Sequence, residues 1–316
     1  MDGIIVVDKP QGMTSHDVVN KMRKITGVSR IGHTGTLDPI ATGLLNICIG
    51  RATKMVEFMQ NDGSPDAKGY ECSMKLGMVT DTGDISGEVI SGASSGRPAG
   101  IVRELGTENI AAAVLSFIGP GMQTPPKYSA IKYQGRKLYD YARAGDDIPR
   151  EAIVPREIII SDIKITLIDE TDDIVEFVAY CSKGTYIRTL CCDIGDKLGC
   201  GAAMSSLRRI KNNAFTIDMA IPLSRMDDGI DEKMLLPVEA GLGFMQVLQI
   251  PGNSTKYFLN GRIIPAEMLD TEARSIFTGI TDNDDMLVRV HSEGSFLGIG
   301  RVTSQGLTPR KQWLIS

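Results

Sequence analysis

The stretch that most constrains this chain runs from Gly32 to Lys54 and reads GHTGTLDPIATGLLNICIGRATK. Its apolar run, Leu44 to Ile49, predicts a central strand, and Arg51 to Met59 predicts the start of a helix. The segment feeding that strand is a loop in which Gly32, Gly35 and Gly43 surround a single carboxylate, Asp38, with Pro39 directly after it. The backbone is therefore permissive everywhere except at the acid, which Pro39 biases toward an extended conformation. A carboxylate held extended, among threonines that can hydrogen-bond it and glycines that admit a close approach, is a candidate nucleophile. An ordinary Asp-Pro turn is the plainer alternative for the same residues.

The length and order of this stretch are similar to the second motif of the pseudouridine synthases, and specifically of the bacterial tRNA pseudouridine synthase B (TruB) family. The resemblance implies that Asp38 is catalytic. It also implies a pseudouridine synthase fold of class α+β, with a central mixed or antiparallel sheet flanked by helices and loops, and a small C-terminal β-rich domain of PUA type.

Length and composition bound the rest. A chain of 316 residues exceeds the usual single-domain size, so a large domain plus a small one is expected. Hydrophobic content of 42% and charged content of 23% suit a globular protein with a full core. The net charge of −5 argues against indiscriminate nucleic-acid binding, but it leaves room for a local basic cleft. The N-terminal MDGIIVVDKP has an apolar run too short for a secretory signal and lacks its positive flank. No stretch approaches transmembrane length. Six cysteines without CxxC spacing and only three histidines make a zinc site an unpromising reading, so reduced thiols in a cytoplasmic protein are expected.

Along the chain, Ile4 to Val7 predicts a buried strand ending in the turn Asp8 to Gly12, and Thr14 or Ser15 caps a helix carrying Val18, Val19 and Met22 on one face. Lys9 and Pro10 read as turn residues. The pattern DKPQGMTSHD is similar to the family's first motif, which implies that both support the catalytic loop. Asn61 to Gly69 reads as a polar loop. In KGYECSMKLGMVTDTGDISG, alternation places Tyr70, Cys72, Met74 and Leu76 on one face. A tyrosine there is ordinarily a core residue with a satisfied hydroxyl; the resemblance implies that Tyr70 lies against the target base.

Ser91 to Gly106 reads as a mobile Gly/Ser-rich loop, and Asn109 as the cap of a helix through Phe117. PPKYSAIKYQGRKLYDYARAG then interleaves Lys127, Lys132, Arg136, Lys137 and Arg143 with Tyr128, Tyr133, Tyr139 and Tyr141. Such a mixture suits an RNA surface or a solvated amphipathic helix. The family has a similar segment flanking its RNA cleft, so residues 120–155 are expected to be an RNA-binding insertion.

Alternation from Ile158 to Ile168 and from Ile174 to Cys181 predicts two strands joined by an acidic turn. In the following CSKGTYIRTLCCDIG, continued alternation would point Tyr186 and Arg188 the same way, with a helix from about Thr189. A buried arginine there needs an acid partner. The resemblance implies that Arg188 pairs with Asp38, supplying the charge that keeps it ionised, and that Tyr186 belongs to the same pocket. It further implies that Leu207 lines the nucleotide pocket, that Lys54 lies near bound RNA, that His33 contacts or makes room for a flipped nucleotide, and that Arg208 and Arg209 reach the RNA. Asn46 and Ala203 depart from the proline and histidine frequent in the family at these positions.

Beyond Pro222 an acidic connection leads to short alternating segments, Met286 to Val290, Ser295 to Val302 and Gln312 to Ile315, with Asn260-Gly261 as a hairpin-type turn. The expected division is residues 1–245 for a catalytic domain and 246–316 for the small RNA-binding module.

The implied reaction breaks the N1–C1′ glycosidic bond of a T-loop uridine (U55) in tRNA, rotates the base and joins C5 to C1′. No cofactor or metal is expected, and a monomer without an obligate protein partner or membrane association is the default. Attack by Asp38 and elimination through a glycal both remain open. A tRNA-folding module without catalysis, or a related synthase acting on other RNA, competes with this reading; Asp38, Tyr70 and Arg188 together favour the enzyme.

Overall fold

A computed structural model describes residues 1–60, 63–92, 100–277 and 286–314. Its organising element is a ten-stranded mixed sheet. The strands are β1 (Gly3–Lys9), β2 (Ile31–His33), β3 (Thr42–Ile49), β4 (Lys68–Leu76), β5 (Gly119–Gln123), β6 (Arg156–Asp169), β7 (Ile174–Cys181), β8 (Ala202–Asn212), β9 (Phe215–Thr216) and β10 (Ile221–Pro222). Their order is β10-β1-β3-β8-β4-β7-β6-β5, with β2 added on β3 and β9 on β8. Pairing is parallel between β1 and β10 and between β3 and β8, and antiparallel elsewhere.

The strand read from Leu44 to Ile49 is central, as its composition requires. Leu45, Ile47 and Ile49 enter one core with Val18, Val19 and Met22 of helix α1 (Ser15–Thr26). Leu44 and Cys48 enter a second core on the opposite face. Helix α1 begins at a capping box in which the Thr14 hydroxyl accepts from the Asp17 amide while the Asp17 carboxylate accepts from the Thr14 amide. It ends at Gly27 in the left-handed region, φ 67°. The first core also takes Tyr70, Cys72, Met74 and Leu76, so the alternation read for β4 holds.

A second sheet of four strands, β11 (Val247–Gln249), β12 (Met286–Ser292), β13 (Ser295–Thr303) and β14 (Gly306–Gln312), follows in chain order. It is joined to the first because Phe296 and Ile299 share the core of Ile4, Val6, Leu44 and Cys48. Arg51 stacks on Trp313, 4.9 Å from the ring centroid, and pairs with Asp2 at 3.0 Å.

Several expectations change. Asn260 and Gly261 end a helix, Gly252–Leu259, instead of turning a hairpin, because Ser254 and Phe258 give that segment a buried helical face. The last strand lies at Gly306–Gln312, and Ile315 falls outside the described residues. Within the expected Ser91–Gly106 loop, Ile101–Leu105 is a helix with Ile101 and Val102 buried, and residues 93–99 lie outside the described set. The next helix is Thr107–Leu115, where Asn109 sits in the first turn and donates to Leu105 O. Within the expected 61–69 loop, Lys68 and Gly69 belong to β4, and residues 61 and 62 lie outside the described set. No helix among the described residues is long and apolar enough to cross a membrane.

Candidate active site

Asp38 opens a β-turn: the Ala41 amide donates to Asp38 O at 3.1 Å, with Pro39 at the position that favours its fixed φ. The Asp-Pro turn and the candidate acid are thus the same feature. The loop is held from several sides. Ser15, at the start of α1, accepts from Leu37 N at 2.8 Å and donates to Leu37 O at 3.2 Å. Gly12 N donates to Pro39 O at 2.8 Å. Gly43 takes φ 93°, and a Cβ there would stand 2.4 Å from Arg209 O, so the exit from the loop requires glycine.

Arg188 comes to Asp38 from the first turn of a helix, Ile187–Lys197. Its Nε lies 2.9 Å from Asp38 Oδ2 and 3.8 Å from Asp84 Oδ2, while Nη1 donates to Thr82 O at 2.9 Å and Nη2 to Tyr128 O at 2.7 Å. The arginine side chain is 6% exposed and the Asp38 side chain 36%. The cation is thereby fixed by protein on all sides, and the carboxylate stays open to a substrate. Asp84 is buried, and its Oδ1 accepts from Thr82 Oγ1, Ser86 N and Ser86 Oγ. Thr82, Asp84 and Ser86 occupy the TDTGDIS turn after β4, where sequence reading singled out Tyr70 upstream and gave the acid no task. The TDTGD pattern itself was the available signal.

Tyr186 and Arg188 share this region by a different route from the strand alternation expected of them. The helix starts at Ile187, so Tyr186 is its N-cap residue, and Gln123 of β5 clamps that residue by accepting from its amide at 2.7 Å and donating to its carbonyl at 3.0 Å. Burial pushes the Tyr186 phenol pKa up.

Tyr70 projects from β4 opposite Arg209 of β8. Burial raises its phenol pKa, the Arg209 guanidinium beside it acts the other way, and the Asp38 carboxylate adds to the rise. Leu207, paired with Cys72 two positions along the same strands, is buried on that face.

Lys9 is buried beneath the loop. Its ammonium donates to Pro10 O at 2.9 Å and Met13 O at 2.7 Å, and burial brings its pKa down to about 8 against the pull of Asp38. Pro10 is exposed and contributes its carbonyl. His33 ends β2 half-buried, with Nδ1 accepting from Gly35 N at 3.2 Å; burial, with the nearby Arg209 charge, lowers its pKa. Lys54 lies in the last turn of a 3-10 segment, Gly50–Met55, and among the described residues no hydrogen bond or ion pair joins it to Asp38.

The two arginines expected at the RNA differ in placement. Arg208 makes a two-pronged pair with Asp8 at 3.0 and 2.7 Å. Arg209 is buried and donates to Leu44 O, Thr36 O and Gly35 O. Asn46 is drawn into the interior, donating to Thr34 Oγ1 at 3.2 Å, and Ala203 lies in the core.

In residues 120–155, cations and rings are stacked on one another. Arg136 lies 4.2 Å from the Tyr141 centroid, and Lys137 and Arg143 lie 5.1 and 5.4 Å from Tyr139. Two cavities, of about 700 and 470 Å³, are lined by residues other than Asp38, Tyr70 and Arg188. The Asp38 side chain is partly exposed and lies outside both. Among the described residues no group of three His, Cys, Asp or Glu is placed to hold a metal ion.

Residues 23–187 match the model of the TruB family pseudouridylate synthase N-terminal domain, and residues 188–243 that of the tRNA pseudouridylate synthase B C-terminal domain. The junction between the two models falls beside Arg188, inside the site. Proteins called tRNA pseudouridine synthase B are 38% identical in Clostridium tetani, covering 97% of each chain, and 39% identical in Clostridium novyi, covering 98% of this chain and 99% of that one. A relative of the same name from an Enterobacter species is 36% identical over 98% of this chain and 94% of its own length. A crystal structure of a Cbf5-Nop10-Gar1 complex superposes with a TM-score of 0.70 at 25% identity, covering 99% of this chain and 85% of that one. This chain belongs to the TruB family of pseudouridylate synthases.

Proposed function

We propose that this enzyme isomerises the T-loop uridine, U55, of tRNA to pseudouridine, with Asp38 as the nucleophile. The observation that carries the reading is the 2.9 Å contact between an accessible Asp38 carboxylate and a buried Arg188 guanidinium, with Tyr70 on β4, across β8 from the strand that leaves the Asp38 loop. The relatives named above as tRNA pseudouridine synthase B support tRNA as the substrate.

A stacked T-loop base reaches such a carboxylate only if it is extruded, at a cost of a few kcal/mol. Contacts to the RNA backbone and stacking in the pocket offset that cost. Arg188 orients the Asp38 carboxylate, and the Tyr70 ring bounds the base while it is detached and turning. Leu207 supplies an apolar wall, and Tyr186, His33 and Lys54 belong to the surface that receives the everted nucleotide. Lys9 and Pro10 hold the loop from below. Attack on the base or sugar and elimination through a glycal use the same groups. Residues 1–245 act as the catalytic unit, with 120–155 over the RNA and 246–316 as an accessory RNA-binding module. The enzyme works in the cytoplasm as a monomer without an obligate protein partner.

Asp38→Asn tests the assignment. The variant binds tRNA with affinity close to the parent and forms no pseudouridine in a single-turnover assay. Product at the parental rate would remove Asp38 from the mechanism.

A further inference from the structure

Arg209 occupies an unusual position for a cation. It lies on β8 between Tyr70 of β4 and Gly43 of β3, so its two neighbouring strands carry the two halves of the site. It is 2% exposed, and among the described residues no carboxylate forms an ion pair with it. Burying a guanidinium without an acid is costly unless its donors are satisfied. Here they meet backbone carbonyls from both arms of the Asp38 loop. Nη2 donates to Gly35 O at 3.2 Å and Nη1 to Thr36 O at 3.3 Å on the approach, and Nε donates to Leu44 O at 2.8 Å on the exit. The backbone repeats the clamp, since the missing Cβ of Gly43 is what lets the loop close against Arg209 O.

A neutral donor could satisfy one such carbonyl. Spanning both arms of the loop takes a planar fork with donors on all three nitrogens, which only arginine supplies. The charge also stands beside the Tyr70 hydroxyl and adds to the fields of Lys9 and His33, whose pKa values it lowers.

From this geometry we infer that Arg209 is a positioning residue for the reaction: it fixes the Asp38 loop against the strand bearing Tyr70 and holds the carboxylate and phenol in one arrangement. The inference rests on Asp38 being the nucleophile, and it goes beyond that reading in assigning control of the geometry to a side chain that does not touch the substrate.

The test uses the full chain, tRNA, and the variants Arg209→Lys and Arg209→Gln, each checked for folding by near-UV circular dichroism. Arg209→Lys keeps the charge but cannot span the loop. Its tRNA affinity should stay within about threefold of the parent while the single-turnover rate falls by about 100-fold or more, the scale of an ångström-sized misplacement. In that background Tyr70→Phe should cost much less than it does in the parent, because the two residues act as one unit. A folded Arg209→Lys protein turning over within about fivefold of the parental rate would overturn the inference, as would a Tyr70→Phe cost that multiplies in full. Failure of both variants to fold would reduce Arg209 to structural support and likewise overturn it. The parent runs alongside. A parent that makes no pseudouridine fails the functional reading and takes this inference with it, whereas losses confined to the variants concern Arg209 alone.

Discussion

Replacing Arg188 by methionine removes the cation from a point where acceptors from separate segments converge: Asp38 at 2.9 Å, Asp84 at 3.8 Å, Thr82 O at 2.9 Å and Tyr128 O at 2.7 Å. Asp84 is 5% exposed, so the variant leaves a buried carboxylate with no cation beside it. Deleting one partner of a buried pair costs about 3–5 kcal/mol. Thr82 and Ser86 already solvate Asp84, which places the expected loss near the lower end, about 3 kcal/mol. The Asp38 side adds about 1 kcal/mol at most, because that carboxylate is partly in water. For a domain of this size a loss of about 3 kcal/mol lowers Tm by about 6–12 °C. The rate should fall by about 100-fold or more, since Asp38 loses the group that aims it. Thermal unfolding followed by circular dichroism and single-turnover pseudouridine formation measure the two effects. Arg188→Lys separates charge from geometry: it should recover part of the stability but not the rate, because one ammonium cannot face Asp38 and donate to both carbonyls. A methionine variant melting within about 2 °C of the parent, and reacting within tenfold of it, would refute the reasoning.

The depressed pKa of Lys9, about 8, makes the folded state bind fewer protons than the unfolded state between about pH 8 and the ordinary lysine value of 10.5. Its burden on stability is therefore full below pH 8 and relieved as pH rises through that window, so Lys9→Met should flatten the contribution in parallel denaturant titrations; identical pH profiles would contradict it. Ser15→Ala loses both bonds to Leu37 and should cost about 1–2 kcal/mol in urea unfolding, with kcat reduced more than KM is raised. Gly43→Ala combines φ 93° with a backbone clash at Arg209 O and should destabilise by more than about 1 kcal/mol in the same assay.

How far the molecule could be read from its residues depended on whether the information was local. The run Leu44 to Ile49 and the alternation of Tyr70, Cys72, Met74 and Leu76 state their burial directly, and the structure places them as read. Asp38 and Arg188 also lie in contact, as the resemblance implied, one in the loop before β3 and the other at a helix start. Arg209 was misread because an arginine pair on an alternating strand looks the same whether it faces solvent or interior. Only the pairing of β8 with β3 and β4 shows that Arg209 points at the loop while Arg208 points away. Tyr186 and Arg188 were placed together for the wrong reason. The helix begins at Ile187 with Gln123, distant in sequence, fixing its N-cap residue. Asp84 lacked a task because its partner lies beyond the whole insertion, and local pattern carries no record of that contact.

The same contacts resolve the tension between an acidic chain and an anionic substrate. The net charge is −5, yet Lys9, Arg188 and Arg209 are all buried around the Asp38 loop. Asp38 is the most exposed member of this group, so the charges that cost most to bury are those an incoming phosphate never strips of water. Their field still reaches the loop, since it is screened far less inside protein than at the surface. The buried cations outnumber the two carboxylates that face Arg188, Asp38 and Asp84, so the local balance of charge differs from that of the chain, which composition counts but cannot locate. Anchoring those cations on carbonyls of Gly35, Thr36, Leu44, Pro10, Met13, Thr82 and Tyr128 ties the electrostatics to the loop geometry. A substitution that moves the loop therefore alters the field at Asp38 as well, which is why losses of position and of charge should be coupled at this site and additive away from it.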